Sequence, residues 1–377
     1  MNNYSETVLI LDRDREAATS TASRLAREGR LILTGADAAV GSMVLSRMPL
    51  SALHTDAQLD GPFSVAVLDL VAEARRRAAG CDIVVSTREE LAASWCDEAT
   101  RRGATLILSG GQAIPPVLDR QDCLSSTIIH IPTIDELIAS AHLLPAFQPI
   151  VDLGGDNPCG HGYESLARFD DGAVPFCDPQ FLFEYARLTG RIAELELACL
   201  RRTLRQARSL PNAAKLFINL HPHVLDEGER LTRTLLTEAT DNGVDLGGVV
   251  LEITEQEKLA ATEPVCATFE SLRAHGVQFA LDDVGNGYSH LDRIECVKPA
   301  YLKISHEFGT DFEKSPVRRK IIGNILSLAL DFDCEVVLEG IESAETSGAA
   351  HDMGARYAQG FFYARPQQAA AFETAEA

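Results

Sequence analysis

The reading of this chain turns on FALDDVGNGYSHL, Phe279 to Leu291. It starts as a strand with alternating apolar residues and ends in two adjacent carboxylates, Asp282 and Asp283. A Gly-x-Gly turn follows at Gly285 and Gly287. A strand, an acidic pair and a flexible loop together make a holder for a divalent cation at the mouth of a parallel sheet. Asp and Gly are also ordinary turn residues, so the stretch alone reads equally as an acidic turn. Other strands that end in the same way decide between the two.

Those strands lie between Phe147 and the C-terminus. FQPIVDL, GYESLARF, LFINLH, VVLEITE, FALDD, YLKIS, EVVLEG and YAQGFF are eight strand candidates, separated by helical stretches such as DPQFLFEYARLTGRIAELELACLRRTLRQA and RKIIGNILSLALDF. This alternation fits a (β/α)8 barrel, whose active sites lie at the C-terminal ends of its strands. Strand alternation turns Glu164, Arg168, Asn219, Glu252, Asp282, Lys303, Glu339 and Gln359 to the inner face. Buried carboxylates that face one another are costly unless cations sit among them. Hard oxygen ligands suit magnesium or manganese. A shared Asp282 with Asp283 beside it allows two ions, an arrangement suited to in-line phosphodiester hydrolysis.

Composition narrows the alternatives. The chain has 377 residues, 46% hydrophobic, and a formal net charge of -21. The length suits two domains or one barrel with an extension, and the acidic balance argues against a general nucleic-acid (DNA) or membrane-surface binder. The nine cysteines are scattered without a CxxC pair, which reads as reduced thiols in a cytoplasmic protein. No basic stretch followed by an apolar run opens the chain, and no run is long enough for membrane insertion.

The first third alternates too. TVLILD, RLILTG, SALHTD, CDIVVST and ATLILSGG read as strands, with helices between them that include 15–29 and FSVAVLDLVAEARRRAAG. This predicts a doubly wound parallel sheet. The boundaries read as 1–117 for this domain, 118–132 for a Pro-containing linker, and 133–377 for the barrel. Thr133 and Glu136 make a capping box at the barrel's entry.

The N-terminal pattern resembles a response-regulator receiver domain, a flavodoxin-like α/β fold. Asp12 and Asp14 match that family's acidic magnesium ligands, and Asp56 matches its phosphoacceptor. Ser86 or Thr87 matches the hydroxyl after the fourth strand. Arg13 splits the acidic pair, and Ser109 stands where the family has a lysine. Asp56 therefore reads either as a phosphoacceptor or as a solvent-facing carboxylate. The resemblance implies a histidine kinase or another signalling partner.

The barrel motifs, in order, resemble the EAL-domain phosphodiesterases that hydrolyse cyclic di-GMP to linear pGpG. GYESLARF corresponds to the signature GYEALLRW, with Ser165 in place of alanine. The resemblance implies two Mg2+ or Mn2+ ions, one held by Glu164, Asn219, Glu252 and Asp282, the other by Asp282, Asp283 and Glu339. It gives Lys303 and Gln359 roles around the attacking water, and Glu255 a role in steadying the loop after Asp283. Gln148 and Arg168 fall near the substrate. A homodimer is also implied. Val284, Asn286, His290 and Ser305 depart from the family pattern around the loop. A cyclic di-GMP receptor with weak or absent turnover is the alternative implied by those departures.

Overall fold

In this computed structural model the structure describes residues 4–26, 29–61, 64–109, 127–139, 143–155, 159–169, 178–211, 214–254, 262–285 and 292–372. Packing divides the chain into two compact units, one of Met1–Ser140 with Asp170–Arg191, the other of Ala141–Phe169 with Ile192–Ala377. Among the described residues no helix is long and apolar enough to cross a membrane.

The first unit runs β1 (Glu6–Leu11), α1 (Arg15–Leu25), β2 (Arg30–Gly35), α2 (Ala38–Arg47), β3 (Ala52–Asp56), α3 (Val65–Arg77), β4 (Asp82–Ser86), α4 (Ala93–Arg102), β5 (Leu106–Leu108), β6 (Thr127–His130), α5 (Ile134–Ala139) and α6 (Pro179–Leu188). Its sheet is parallel throughout, in the order β5-β4-β3-β1-β2-β6. The first five strands take the flavodoxin-like order, consistent with the receiver-like fold that the resemblance implied. β1 and β2 are nearly continuous apolar runs because helices cover both faces of such a sheet. β6 was not foreseen as a strand. It lies in the stretch read as linker and pairs with β2 from Leu31↔Thr127 to Thr34↔His130. The capping box forms as expected, with Thr133 N donating to Glu136 Oε2 at 2.8 Å and Glu136 N to Thr133 Oγ1 at 3.2 Å.

The long helical stretch after GYESLARF breaks in two at Gly190, whose φ of 69° is left-handed. Its first half, α6, packs with the first unit. Arg47 of α2 pairs with Asp178 at 3.2 Å and lies over the Phe181 ring at 5.0 Å.

The second unit comprises β7 (Leu143–Asp152), β8 (Cys159–Phe169), α7 (Ile192–Ala207), β9 (Lys215–Leu220), α8 (Gly228–Asn242), β10 (Val249–Thr254), α9 (Glu263–Ala274), β11 (Gln278–Val284), α10 (Asp292–Val297), β12 (Tyr301–Ile304), α11 (His306–Gly309), α12 (Pro316–Asp331), β13 (Glu335–Leu338), α13 (Ala344–Asp352) and β14 (Tyr357–Gln359). The eight strands close into a barrel in the order β10-β11-β12-β13-β14-β7-β8-β9. β7 runs antiparallel to both of its neighbours, whereas the other pairings are parallel. The six residues between β7 and β8 explain this, because a parallel crossover needs a dozen or more.

Alternation along the strands separates two apolar layers. Leu216, Ile218, Leu251, Ile253, Phe279, Leu281, Leu302 and Leu338 pack outward against the helices. Ile150, Phe217, Val250, Ala280, Tyr301, Val337 and Tyr357 fill the barrel interior. Burying side chains such as Phe217 and Val250 contributes roughly 1.5–3 kcal/mol each. The next inward position along several of these strands carries the polar residues.

One expectation about the cysteines is overturned. Cys266 and Cys296 are joined by a disulfide, with Cα atoms 5.7 Å apart. α9 and α10 follow adjacent strands and lie side by side, which brings together residues 30 positions apart. Cys81, Cys96, Cys199 and Cys334 are free thiols.

Candidate active site at the barrel mouth

Lys303, one residue before the end of β12, is fully buried at the centre of the site. Its Nζ lies 2.8 Å from Glu339 Oε1, 2.9 Å from Glu252 Oε1, 3.2 Å from Asp282 Oδ1 and 3.4 Å from Glu164 Oε2. Burial opposes its charge, but Asp282, Glu164, Glu252 and Glu339 outweigh that and hold its pKa well above the ordinary lysine value. Burial pushes Glu252 well up, with Lys303 opposing. Burial likewise raises Asp282, and it raises Glu339 to about 8. Glu164 goes the other way. Burial raises it, but Lys303 and hydrogen bonds from Gln359 and Asn219 bring it below the usual carboxylate range.

These neighbours fix the orientation of Glu164. Asn219 Nδ2 donates to its Oε1 at 3.0 Å, and Gln359 Nε2 donates to its Oε2 at 2.6 Å. Gln359 Nε2 also reaches Gln148 Oε1 at 3.1 Å, and Gln148 Nε2 donates to the Ala364 carbonyl. Gln148 faces Glu164 across the antiparallel pair. Arg168 lies four residues after Glu164 on β8; burial lowers its pKa, and the charge of Glu164 opposes that.

Asp283 would point away from the interior in a regular strand, since successive side chains alternate. Between Leu281 and Val284 the β11–β12 register shifts, and Asp283 takes φ 57°, in the left-handed region. Asp tolerates that conformation better than most residues. The irregularity turns Asp283 back, so that one oxygen each from Asp282, Asp283 and Glu339 lies within 4.8 Å of the others. Gly285 follows at φ 109°, where a Cβ would also meet the Phe308 ring at 2.9 Å.

The acidic cluster fits hard cations. Both oxygens of Glu252 and Oδ1 of Asp282 are buried without a hydrogen bond. Four carboxylates surround one ammonium. Lys303 is the ammonium that faces these oxygens, and buried carboxylate oxygens with so little hydrogen bonding suit a divalent ion.

The site opens into a cavity of about 300 Å³ lined by Gln148, Glu164, Asp282, Glu339, Gln359 and Phe361 among others. Phe361 and His306, also at the rim, were missed by the sequence reading because nothing in the strand alternation marks them. Arg365 lies over the Phe361 ring at 4.2 Å. Ser165 is buried, and its hydroxyl shares a 2.7 Å hydrogen bond with Thr203 of α7. Ser305, fully buried, caps α11 by accepting from Glu307 N. Glu255, Asn286 and His290 lie outside the described residues.

In the first unit, Asp14 caps α1 by accepting from the amides of Glu16 and Ala17. Arg88 Nη2 reaches its Oδ2 at 2.9 Å and lowers its pKa. Burial raises the pKa of Asp12, Asp56 adds to that, and Arg88 opposes it. Asp56 ends β3 and accepts from the amide of Gln58. Ser86 Oγ bonds to His54 Nε2 at 2.9 Å, and Thr87 Oγ1 accepts from Glu89 N.

A closed barrel with a carboxylate cluster and a buried lysine at the strand ends is an arrangement that suits divalent cations. The EAL domain family matches residues 133–366, and the chain belongs to that family. It is 27% identical over 233 residues to the probable cyclic di-GMP phosphodiesterase PdeG of Escherichia coli strain K12, covering 61% of this chain and 45% of PdeG. It is 29% identical over 225 residues to the cyclic di-GMP phosphodiesterase RocR of Pseudomonas aeruginosa, covering 58% of this chain and 56% of RocR. The chain thus spans about half the length of these two relatives. Among solved structures, the Klebsiella pneumoniae BlrP1 complex with manganese and cyclic di-GMP at pH 6 matches with TM-score 0.52 and 26% identity, over 60% of this chain and 56% of that one. A calcium and cyclic di-GMP complex of BlrP1 matches with TM-score 0.53.

Proposed function

We propose that the barrel hydrolyses cyclic di-GMP to linear pGpG with two Mg2+ or Mn2+ ions. The observation that carries this reading is the convergence of Glu164, Glu252, Asp282 and Glu339 on Lys303, with Asp283 turned in beside them. Glu164, Asn219, Glu252 and Asp282 would hold one ion, and Asp282, Asp283 and Glu339 the other. When bound, such ions lower the pKa of water and stabilise charge on a phosphodiester in displacement. Lys303 holds the attacking water and opposes the rise that burial imposes on the carboxylates. Gln359 and Asn219 fix Glu164, and Gln148 and Arg168 face the substrate. Exposed Phe361, with Arg365 stacked on it, offers an aromatic face for a purine. Glu255 steadies the turn after Asp283. The first unit regulates the barrel, and Asp56 is its candidate phosphoacceptor.

The test is incubation of the full chain with cyclic di-GMP and manganese, with chromatographic detection of pGpG and calorimetric measurement of binding. Product in excess of protein is expected. Tight binding without product would make the protein a cyclic di-GMP receptor, and no binding would remove both readings.

A further inference from the structure

We infer that Cys266 and Cys296 form a reversible dithiol–disulfide switch acting on the Asp282–Gly285 turn. This rests on the reading of that turn as part of a metal site. Cys266 sits in the first turn of α9, and Cys296 near the end of α10. The bond therefore closes a covalent ring around the whole of β11. Inside the ring lie Asp282, Asp283 and the left-handed positions Asp283 and Gly285.

α10 is only six residues long, too short to hold its own shape without anchors. Its other anchors are the buried Ile294 and Val297 and a 3.1 Å hydrogen bond from Arg273 of α9 to the Cys296 carbonyl. The disulfide is the covalent tether between the helix that leaves the turn and the barrel's outer layer. Both cysteines are partly exposed rather than fully buried, and exchange with a small thiol depends on access to a sulfur.

The exchange balances with a low-molecular-weight thiol as the reductant. One thiolate attacks a sulfur of the pair and releases the other cysteine. A second thiol then resolves the mixed disulfide. Two electrons and two protons pass to Cys266 and Cys296, and the reductant leaves as its own disulfide. A low-molecular-weight disulfide drives the reverse reaction. In the oxidised form the turn is held ready for the cation, and in the reduced form α10 is released and the turn loosens.

The experiment uses metal-free full-length protein poised with oxidised glutathione or with dithiothreitol. Amide hydrogen exchange is followed over peptides covering Asp282 to Val297, and manganese affinity is measured by calorimetry. Oxidised protein should exchange at least about tenfold more slowly there and bind manganese several-fold more tightly. Cys296→Ser should match the reduced protein under both conditions, while Cys334→Ser should keep the full difference. Equal exchange and equal affinity in both states would overturn the inference. So would alkylation of both thiols after treatment with oxidised glutathione. Redox-dependent exchange with no cyclic di-GMP hydrolysis in either state would support the switch and remove the phosphodiesterase reading alone.

Discussion

Lys303 Nζ lies 2.9 Å from Glu252 Oε1, and neither side chain has any exposed surface. Apart from that ion pair, Glu252 accepts no hydrogen bond at either oxygen. The lysine thus stands as the internal counter-charge of a cluster built to hold more positive charge than one ammonium supplies.

Removing that ammonium leaves four buried carboxylates facing one another. Lys303→Ala should cost the metal-free barrel about 3 to 5 kcal/mol, the range for breaking a buried ion pair. Manganese should restore most of the thermal midpoint. Turnover should fall by about two orders of magnitude or more, since the group proposed to act on the attacking water is lost. Calorimetric scans with and without manganese, and initial rates, check both parts.

Metal affinity should depend on pH. Burial raises Glu339 to about 8, so below that value a proton competes for its carboxylate. A ligand must be ionised to bind. Affinity for manganese should therefore rise as pH increases from 6 to 8, by up to about tenfold per unit for one displaced proton, and level off above. Titrations in buffers of different ionisation enthalpy would count the protons released. A flat profile would contradict the buried cluster.

Ser165 next to Glu164 is tied to Thr203 rather than to the substrate side. Ser165→Ala leaves the buried Thr203 hydroxyl unpaired and should cost about 1 kcal/mol. Turnover should stay within about threefold of the parent protein, a barrier change of roughly 0.6 kcal/mol. A much larger kinetic loss would mean that the α7 contact sets the Glu164 position.

The first unit should be acid-sensitive through His54. Burial lowers its pKa from 6.5 to about 4. The unfolded chain then takes up a proton that the folded chain refuses, so stability falls as pH drops from about 6.5 towards 4. The full effect approaches about 3 kcal/mol at 1.36 kcal/mol per unit. His54→Gln should flatten this slope in denaturant titrations at pH 4.5 and 7.

The barrel was legible because alternation sorts Asn219, Glu252, Asp282, Lys303, Glu339 and Gln359 to one face while their neighbours Leu251, Leu281, Leu302 and Leu338 pack outward. The parallel, doubly wound character of the first sheet followed from its alternating elements. Four features were not legible, each for a physical reason. The reversal of β7 depends on how short its link to β8 is, not on its apolar pattern. The inward turn of Asp283 depends on a register shift that breaks the two-residue period. The Cys266–Cys296 bond depends on two helices packing side by side, which sequence spacing does not encode. β6 was hidden because a short strand in a polar stretch is read as a connection.

The most direct measurement is cyclic di-GMP hydrolysis by the full chain and by Asp282→Asn in parallel, with manganese present. Asp282 is the carboxylate shared by both halves of the proposed site. The parent protein should form pGpG well beyond one equivalent, and the variant should bind manganese more weakly and form almost none. Equal product from both proteins would contradict metal-assisted hydrolysis at this cluster.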